Sequence, residues 1–144
     1  MRAVWPENRV LSVRLSVHDF VDGGLTLEDT SQVGIWLKDL GVDILDCSGG
    51  GAVPEAHGAI GNRTAEQPDM AGVLRSSAGL PIMAVGGITD PAHAESIIAE
   101  NKADIVLLGR ELMRDPHWAF TAAKTLGADA RPVLANQHGF FVGG

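Results

Sequence analysis

Four times along the chain, a short apolar run of strand character is followed by a segment whose apolar residues recur at helical spacing. The strand-like runs cover 10–17, 42–47, 81–85 and 104–108. Punctuation separates them. Thr26-Leu27-Glu28-Asp29 reads as a capping box, in which hydroxyl and carboxylate satisfy the first free amides of a helix. Val33, Trp36, Leu37 and Leu40 follow as its apolar stripe, and Gly41 marks its end. A glycine-rich loop runs from Ser48 to about Gln67. Residues 68–77 make a weaker helix with Met70, Val73 and Leu74 on one face, stopped at Gly79. Thr89 or Asp90 opens the next helix, with Pro91 in its first turn and Ala94, Ile97 and Ile98 as its buried stripe. Asp115 caps a last helix starting at Pro116, with Ala119, Ala122, Ala123 and Leu126 inward and Gly127 as its stop.

The pattern predicts an α/β fold of four consecutive βα units. The strands are almost continuously apolar, as in a parallel sheet covered on both faces. Gly41-Val42-Asp43-Ile44-Leu45 and Lys102-Ala103-Asp104-Ile105-Val106 share a local pattern, a weak internal repeat of the unit. A complete (β/α)8 barrel needs roughly 250 residues and at least about 200, whereas this chain has 144. Four units make half a barrel. The expected division is a half barrel over 1–127 and an irregular tail over 128–144. Half a barrel leaves two sheet edges unpaired, so the sheet lies open, two copies pair, or another chain supplies the missing strands.

Composition narrows the partners. Eleven basic residues against 18 acidic ones give a net charge of −7, and no basic cluster offsets it. That argues against nucleic acid and anionic membrane surfaces. No apolar run approaches the roughly 20 residues of a membrane span. Residues 1–9 lack the apolar stretch of a signal peptide. The single cysteine, Cys47, cannot form an internal disulfide, which fits a reducing, cytoplasmic location.

Candidate chemistry lies at the C-terminal ends of the strands. Arg14 sits in mid-strand, on the same side as Ser12 and Ser16. A charge in a buried strand needs an anionic counterpart. That counterpart is either a core carboxylate such as Asp46 or an anionic ligand or electron-rich cofactor. Val85-Gly86-Gly87-Ile88-Thr89 and Leu108-Gly109-Arg110-Glu111-Leu112 follow the third and fourth strands, one βα unit apart. Their glycines either serve tight turns only or bare the backbone to a phosphate, and β/α barrels build phosphate sites in their last two such loops. Arg110 and the short helical turn after it favour the phosphate reading. His18 and His57 fall at the same face; His93 and His117 fall in the first turns of helices and are read as solvated, and His138 lies in the tail. No histidine or cysteine spacing suits a metal, so no metal site is expected. Cys47 is read as a small packed residue rather than a reactive thiol. Trp36 and Trp118 are read as core or interface.

Taken in order, Ser12-Val13-Arg14-Leu15-Ser16, Asp43-Ile44-Leu45-Asp46-Cys47-Ser48-Gly49-Gly50, Ala84-Val85-Gly86-Gly87-Ile88-Thr89, and Ala103 to Leu112 with Arg114-Asp115-Pro116 resemble the C-terminal half of the Old Yellow Enzyme family. The likeness is to its NADPH dehydrogenase and xenobiotic reductase branch, and runs from about Val4 to Trp118. The resemblance implies strands five to eight of an FMN-holding β/α barrel. It implies that Arg14 contacts the flavin pyrimidine edge and stabilises the negative charge of the reduced flavin. Gly86 and Gly87 would present amides to the FMN phosphate, and Gly109 and Arg110 would complete that site. The implied activity takes hydride from NADPH to the flavin, then to an acceptor such as an activated alkene. The family's substrate-oxyanion donors and tyrosine proton donor lie in its N-terminal half, so no catalytic residue is expected in this chain, which has no tyrosine. The loop at Gly61-Asn62-Arg63-Thr64 diverges from the family. So does the tail, where Asn136-Gln137-His138-Gly139-Phe140 stands in place of an arginine that reaches a neighbouring subunit. The chain is therefore expected to keep cofactor contacts and to be weak or inactive alone. The rival expectation is a non-catalytic half barrel that binds a phosphate-bearing ligand or a complementary N-terminal half.

Overall fold

The computed structural model describes residues 1–50 and 66–135. Most of the glycine-rich loop, with His57, and the end of the tail, with His138, lie outside the described residues. The elements are β1 (Ser12–Ser16), α1 (Leu27–Asp39), β2 (Ile44–Ser48), α2 (Gln67–Ala78), β3 (Ile82–Val85), α3 (Pro91–Ala99), β4 (Ile105–Leu107), α4 (Arg110–Arg114) and α5 (Trp118–Thr125), with short 3-10 turns at Arg2–Val4 and Arg131–Val133. The strands form one parallel sheet in the order β1-β2-β3-β4. This is the α/β fold the pattern predicted, four consecutive βα units as in half of a (β/α)8 barrel.

Alternation along the strands sorts side chains between two faces. Leu45, Cys47, Ile82 and Ala84 point outward and are fully buried, with Leu74 of α2 and Ile97 of α3 in the same core. Arg14, Asp46, Met83 and Ile105 stand in register on the other face. The expectation of two covered faces is corrected: among the described residues the helices cover the outward face only, and Ile105 is 45% exposed. Apolar strands do not reveal whether their second cover belongs to the same stretch of chain.

The internal repeat is one device used twice. Asp43, at the entry to β2, donates its N–H to Leu11 O at 3.0 Å, and its carboxylate accepts Leu11 N–H at 2.7 Å. Asp104, at the entry to β4, donates to Ile82 O at 2.9 Å and accepts Ile82 N–H at 2.9 Å. Each carboxylate also carries an arginine, Arg2 on Asp43 and a two-pronged Arg75 on Asp104 at 3.0 and 2.8 Å. Both acids are held below the usual carboxylate range. The Leu11 N–H does most of this for Asp43, ahead of Arg2; the Arg75 hydrogen bond leads for Asp104, with the Ile82 N–H adding to it.

Caps follow the sequence more closely than stripes. Thr26 Oγ1 accepts Asp29 N–H at 3.2 Å and the Asp29 carboxylate accepts Thr26 N–H at 2.9 Å, completing the capping box. Asp90, not Thr89, caps α3, accepting His93 N–H at 2.8 Å. The buried face of α1 is Thr30 and Gly34, with Leu27 and Leu37 packed against the core; of the expected stripe Leu37 holds, while Trp36 and Leu40 are exposed. Trp36 is 57% exposed, so its assignment to the core is corrected. On α2 the buried residues are Gln67, Pro68, Ala71, Leu74 and Ala78, and Val73 faces out. Ile98 is the outlying member of the α3 stripe. The last helix begins at Trp118 rather than Pro116 and buries Trp118 and Ala122, while Ala119 and Leu126 are exposed. On α1 and α2 small residues that permit close approach, Gly34, Ala71 and Ala78, share the inner face with larger apolar ones such as Leu74.

Candidate functional site

At the C-terminal ends of the strands a crevice of about 470 Å³ opens between the loops after β2, β3 and β4. That volume lies in the range of small-ligand sites. Arg14, Gly86, Gly87, Gly109 and Arg110 all line it. The chain thus brings together residues from three βα units that the sequence singled out separately.

Arg14 projects from the middle of β1 on the open face. Its side chain is 61% exposed, so the expectation of a buried guanidinium is corrected; the face it occupies has no cover among the described residues. Nη1 lies 3.4 Å from Asp46 Oδ2, and Nε donates to Ser48 Oγ at 3.3 Å. The carboxylate and crevice readings of Arg14 therefore coexist: Asp46 stands behind the guanidinium, and the guanidinium still reaches the crevice.

Gly86 and Gly87 turn the chain out of β3 with φ of +132° and +63°, conformations that side-chain-bearing residues rarely adopt. The loop is anchored from below. Trp118, buried in α5, donates its indole N–H to Thr89 O at 2.7 Å. Gly109 is the N-cap residue of α4, and no heavy atom lies within 4 Å of where its Cβ would stand. Its lack of a side chain answers no packing need among the described residues and leaves room over the backbone. Arg110 is exposed and carries no ion pair among the described residues, whereas Arg114 on the same helix is paired with Glu111 at 2.6 Å. Arg110 therefore remains the uncompensated cation of that loop.

Sequence reasoning missed several lining residues. Gln67, 4% exposed, donates to Gly49 O at 3.3 Å and ties the start of α2 to the loop after β2. Ser48 faces the crevice two residues after Asp46; strand alternation carried that signal once β2 was placed beside β1. Glu111 and Arg114 also line it, and only their place on α4 could have indicated this. His18 stacks on Phe20 with ring centroids 4.7 Å apart, and its Nδ1 accepts Phe20 N–H at 2.8 Å. Cys47 points away into the core, and burial, with the Asp46 charge adding to it, pushes its thiol up to about 12. It is packed, as expected, and unsuited to nucleophilic work. No helix among the described residues is long and apolar enough to cross a membrane.

The donor set suits an elongated anion. Glycine amides and Arg110 gather in the loops after β3 and β4, where a phosphate fits. Arg14 offers guanidinium donors on the β1 side, with Ser48 and Gln67 beside it in the lining, and an acceptor-rich ring edge fits there. Comparison with known proteins bears on the same arrangement. The chain is 37% identical over 140 residues to the NADPH dehydrogenase of Bacillus subtilis (strain 168), an alignment covering 97% of this chain and 40% of that protein. It is 37% identical over 140 residues to the NADPH dehydrogenase of Geobacillus thermodenitrificans (strain NG80-2), with the same shares covered. The chain thus spans 40% of the length of these curated relatives. The model of the NADH:flavin oxidoreductase / NADH oxidase family matches residues 2–129. The ordered strand ends, the glycine loops and this match over most of the chain agree: the protein belongs to the NADH:flavin oxidoreductase / NADH oxidase family.

Proposed function

We propose that this chain is the FMN-holding portion of an NADPH-dependent oxidoreductase. The observation that carries the reading is the meeting of Arg14, Gly86, Gly87, Gly109 and Arg110 around one crevice. The residues fit the group. Gly109 leaves open space where a side chain would stand, and Arg110 carries no ion pair among the described residues. Gly86, Gly87, Gly109 and Arg110 would hold the phosphate, through backbone amides and a guanidinium. Arg14 would face the pyrimidine edge, where a fixed positive charge favours negative charge on a ligand without reorganisation. Bound FMN supplies the redox chemistry, accepting two electrons from a nicotinamide and giving them to a small acceptor such as an activated alkene. The chain's own residues bind, orient and polarise; none of the described ones is placed as a proton donor to substrate.

The test is direct. Mixed with FMN and desalted, the chain should keep a yellow chromophore, and flavin fluorescence should titrate to saturation. Arg110→Ala and Arg14→Ala should each weaken binding by about tenfold or more, the scale of one charge-assisted hydrogen bond. A chain that retains no FMN overturns the reading. Reduction of an enone by NADPH should be weak or absent with this chain alone, and robust turnover would contradict the assignment of cofactor contacts without substrate activation.

A second reading has its own observation, a sheet face left uncovered and outer edges of β1 and β4 left unpaired among the described residues. On it, the chain is a half barrel that associates with a second copy or with a complementary N-terminal half.

A further inference from the structure

We infer that Asp46 and Ser48 are positioning residues for Arg14: together they set where its guanidinium stands over the crevice, and Asp46 sets how much of its charge a bound anion meets. The inference rests on the FMN reading for its second half only. Parallel register places Arg14 opposite Asp46 and Ser16 opposite Ser48. The guanidinium is therefore held at two points from β2, Nη1 to Asp46 Oδ2 at 3.4 Å and Nε to Ser48 Oγ at 3.3 Å. Ser48 cannot turn freely, because its hydroxyl donates to Leu15 O at 3.1 Å. That leaves the oxygen's lone pairs for Arg14. Each hold falls on a different nitrogen, which fixes the planar group in rotation as well as in place.

A purely structural ion pair does not account for Asp46. Its side chain is 14% exposed, and Oδ1 is buried with no hydrogen-bond partner among the described residues. An ion pair whose cation is 61% exposed contributes little to stability. A buried carboxylate oxygen without a partner is destabilising. The sheet would be better served by an apolar residue at this position, as its inward neighbour Met83 shows. What the carboxylate does is stand behind the only cation on β1, on the side away from the crevice. It orients that cation and offsets part of its field. Arg14 without Asp46 would present a full charge to any anion; with it, the pair presents a moderated charge whose strength favours reduced over oxidised flavin only to a set degree.

The test has a ligand-free arm and a ligand-bound arm. In the 15N-labelled chain the Arg14 Nε–H should give a resolved side-chain resonance with retarded solvent exchange. Ser48→Ala should speed that exchange at least fivefold, and Asp46→Asn should move the resonance and speed exchange, with the backbone spectrum otherwise retained. With FMN bound, Asp46→Asn should tighten reduced FMN relative to oxidised FMN by about tenfold, the effect of removing one partly screened charge a few ångströms away. For a two-electron couple, tenfold raises the midpoint potential by about 30 mV. Unchanged Arg14 exchange in both variants, or an unchanged affinity ratio in Asp46→Asn, overturns the inference. If Asp46→Asn does not fold, Ser48→Ala decides by exchange alone. If the parent chain holds no FMN, the FMN reading falls, and the exchange measurements still judge the positioning role.

Discussion

Asp43 and Asp104 hold the N-terminal end of the sheet by the same reciprocal bond, Asp43 taking the N–H of Leu11 just before β1 and Asp104 that of Ile82 at the start of β3. Both titrate lower in the folded chain than an unfolded aspartate, which lies near 3.9. A depressed carboxylate stabilises the fold at pH values above its unfolded value, and that contribution is lost as pH falls through it toward the folded value. Melting temperature should therefore be flat from about pH 7 to about pH 5 and fall below about pH 4. Asp104→Ala should lower stability at neutral pH by about 1 kcal/mol, the modest end for a charge-assisted bond because the pair with Arg75 is partly solvated. Its acid limb should be shallower than the parent's, measured by thermal melts across pH; an identical limb would refute the role. The repeat around these aspartates is legible in the sequence, but its purpose is not. Leu11 and Ile82 lie 32 and 22 residues away, and only strand register brings them back. Arg14 shows the same division. Alternation put it on the correct face, while its exposure depends on what covers that face.

At the scale of elements, α1 and α2 meet at Gly34. A Cβ there would stand 2.9 Å from Ala78 Cβ and 3.4 Å from Leu74 Cδ1, too close for a core packed at crystal density. Gly34→Val should cost about 2 kcal/mol by overpacking, although valine is the better helix former. Urea melts should show a lower midpoint with unchanged slope, and equal or greater stability would show that the helices have room to separate. This contact explains why the stripe of α1 is less legible than its cap. A cap is local: Thr26 and Asp29 satisfy each other within one turn. A stripe is defined by what it touches, and α1 rests its small residues on α2 while Trp36 and Leu40 face outward. The helix stops at Gly41 and Gly79, both at positive φ, were equally local and equally legible. The glycine loops were legible for the same reason. Gln67 was not, because its role comes from a 3.3 Å bond to Gly49 across the loop.

The whole molecule presents one unsolved surface. All four strands run parallel, β1 and β4 each keep an edge unpaired among the described residues, and apolar side chains such as Ile105 and Val10 stand exposed near those edges. Exposed edges of this kind template further pairing. Two copies related by a two-fold axis would place β4 of each beside β1 of the other with the same polarity, closing eight strands without a free edge. Such closure would cover the inward face that the described helices leave bare. It would also set two Arg14–Asp46 pairs facing a shared interior. We therefore expect the isolated 144-residue chain to populate a species of twice 15.1 kDa, read by light scattering across a dilution series. Ile105→Lys, which puts a charge on the inward face of the edge strand, should weaken that association at least about tenfold, because an interfacial apolar contact becomes a buried unpaired cation. Addition of the corresponding N-terminal half of a family member should displace the second copy, since both compete for the same two edges. A chain that remains a monomer at every concentration, with or without that half, would show that the sheet is stable open and that the exposed apolar residues near its edges need no partner.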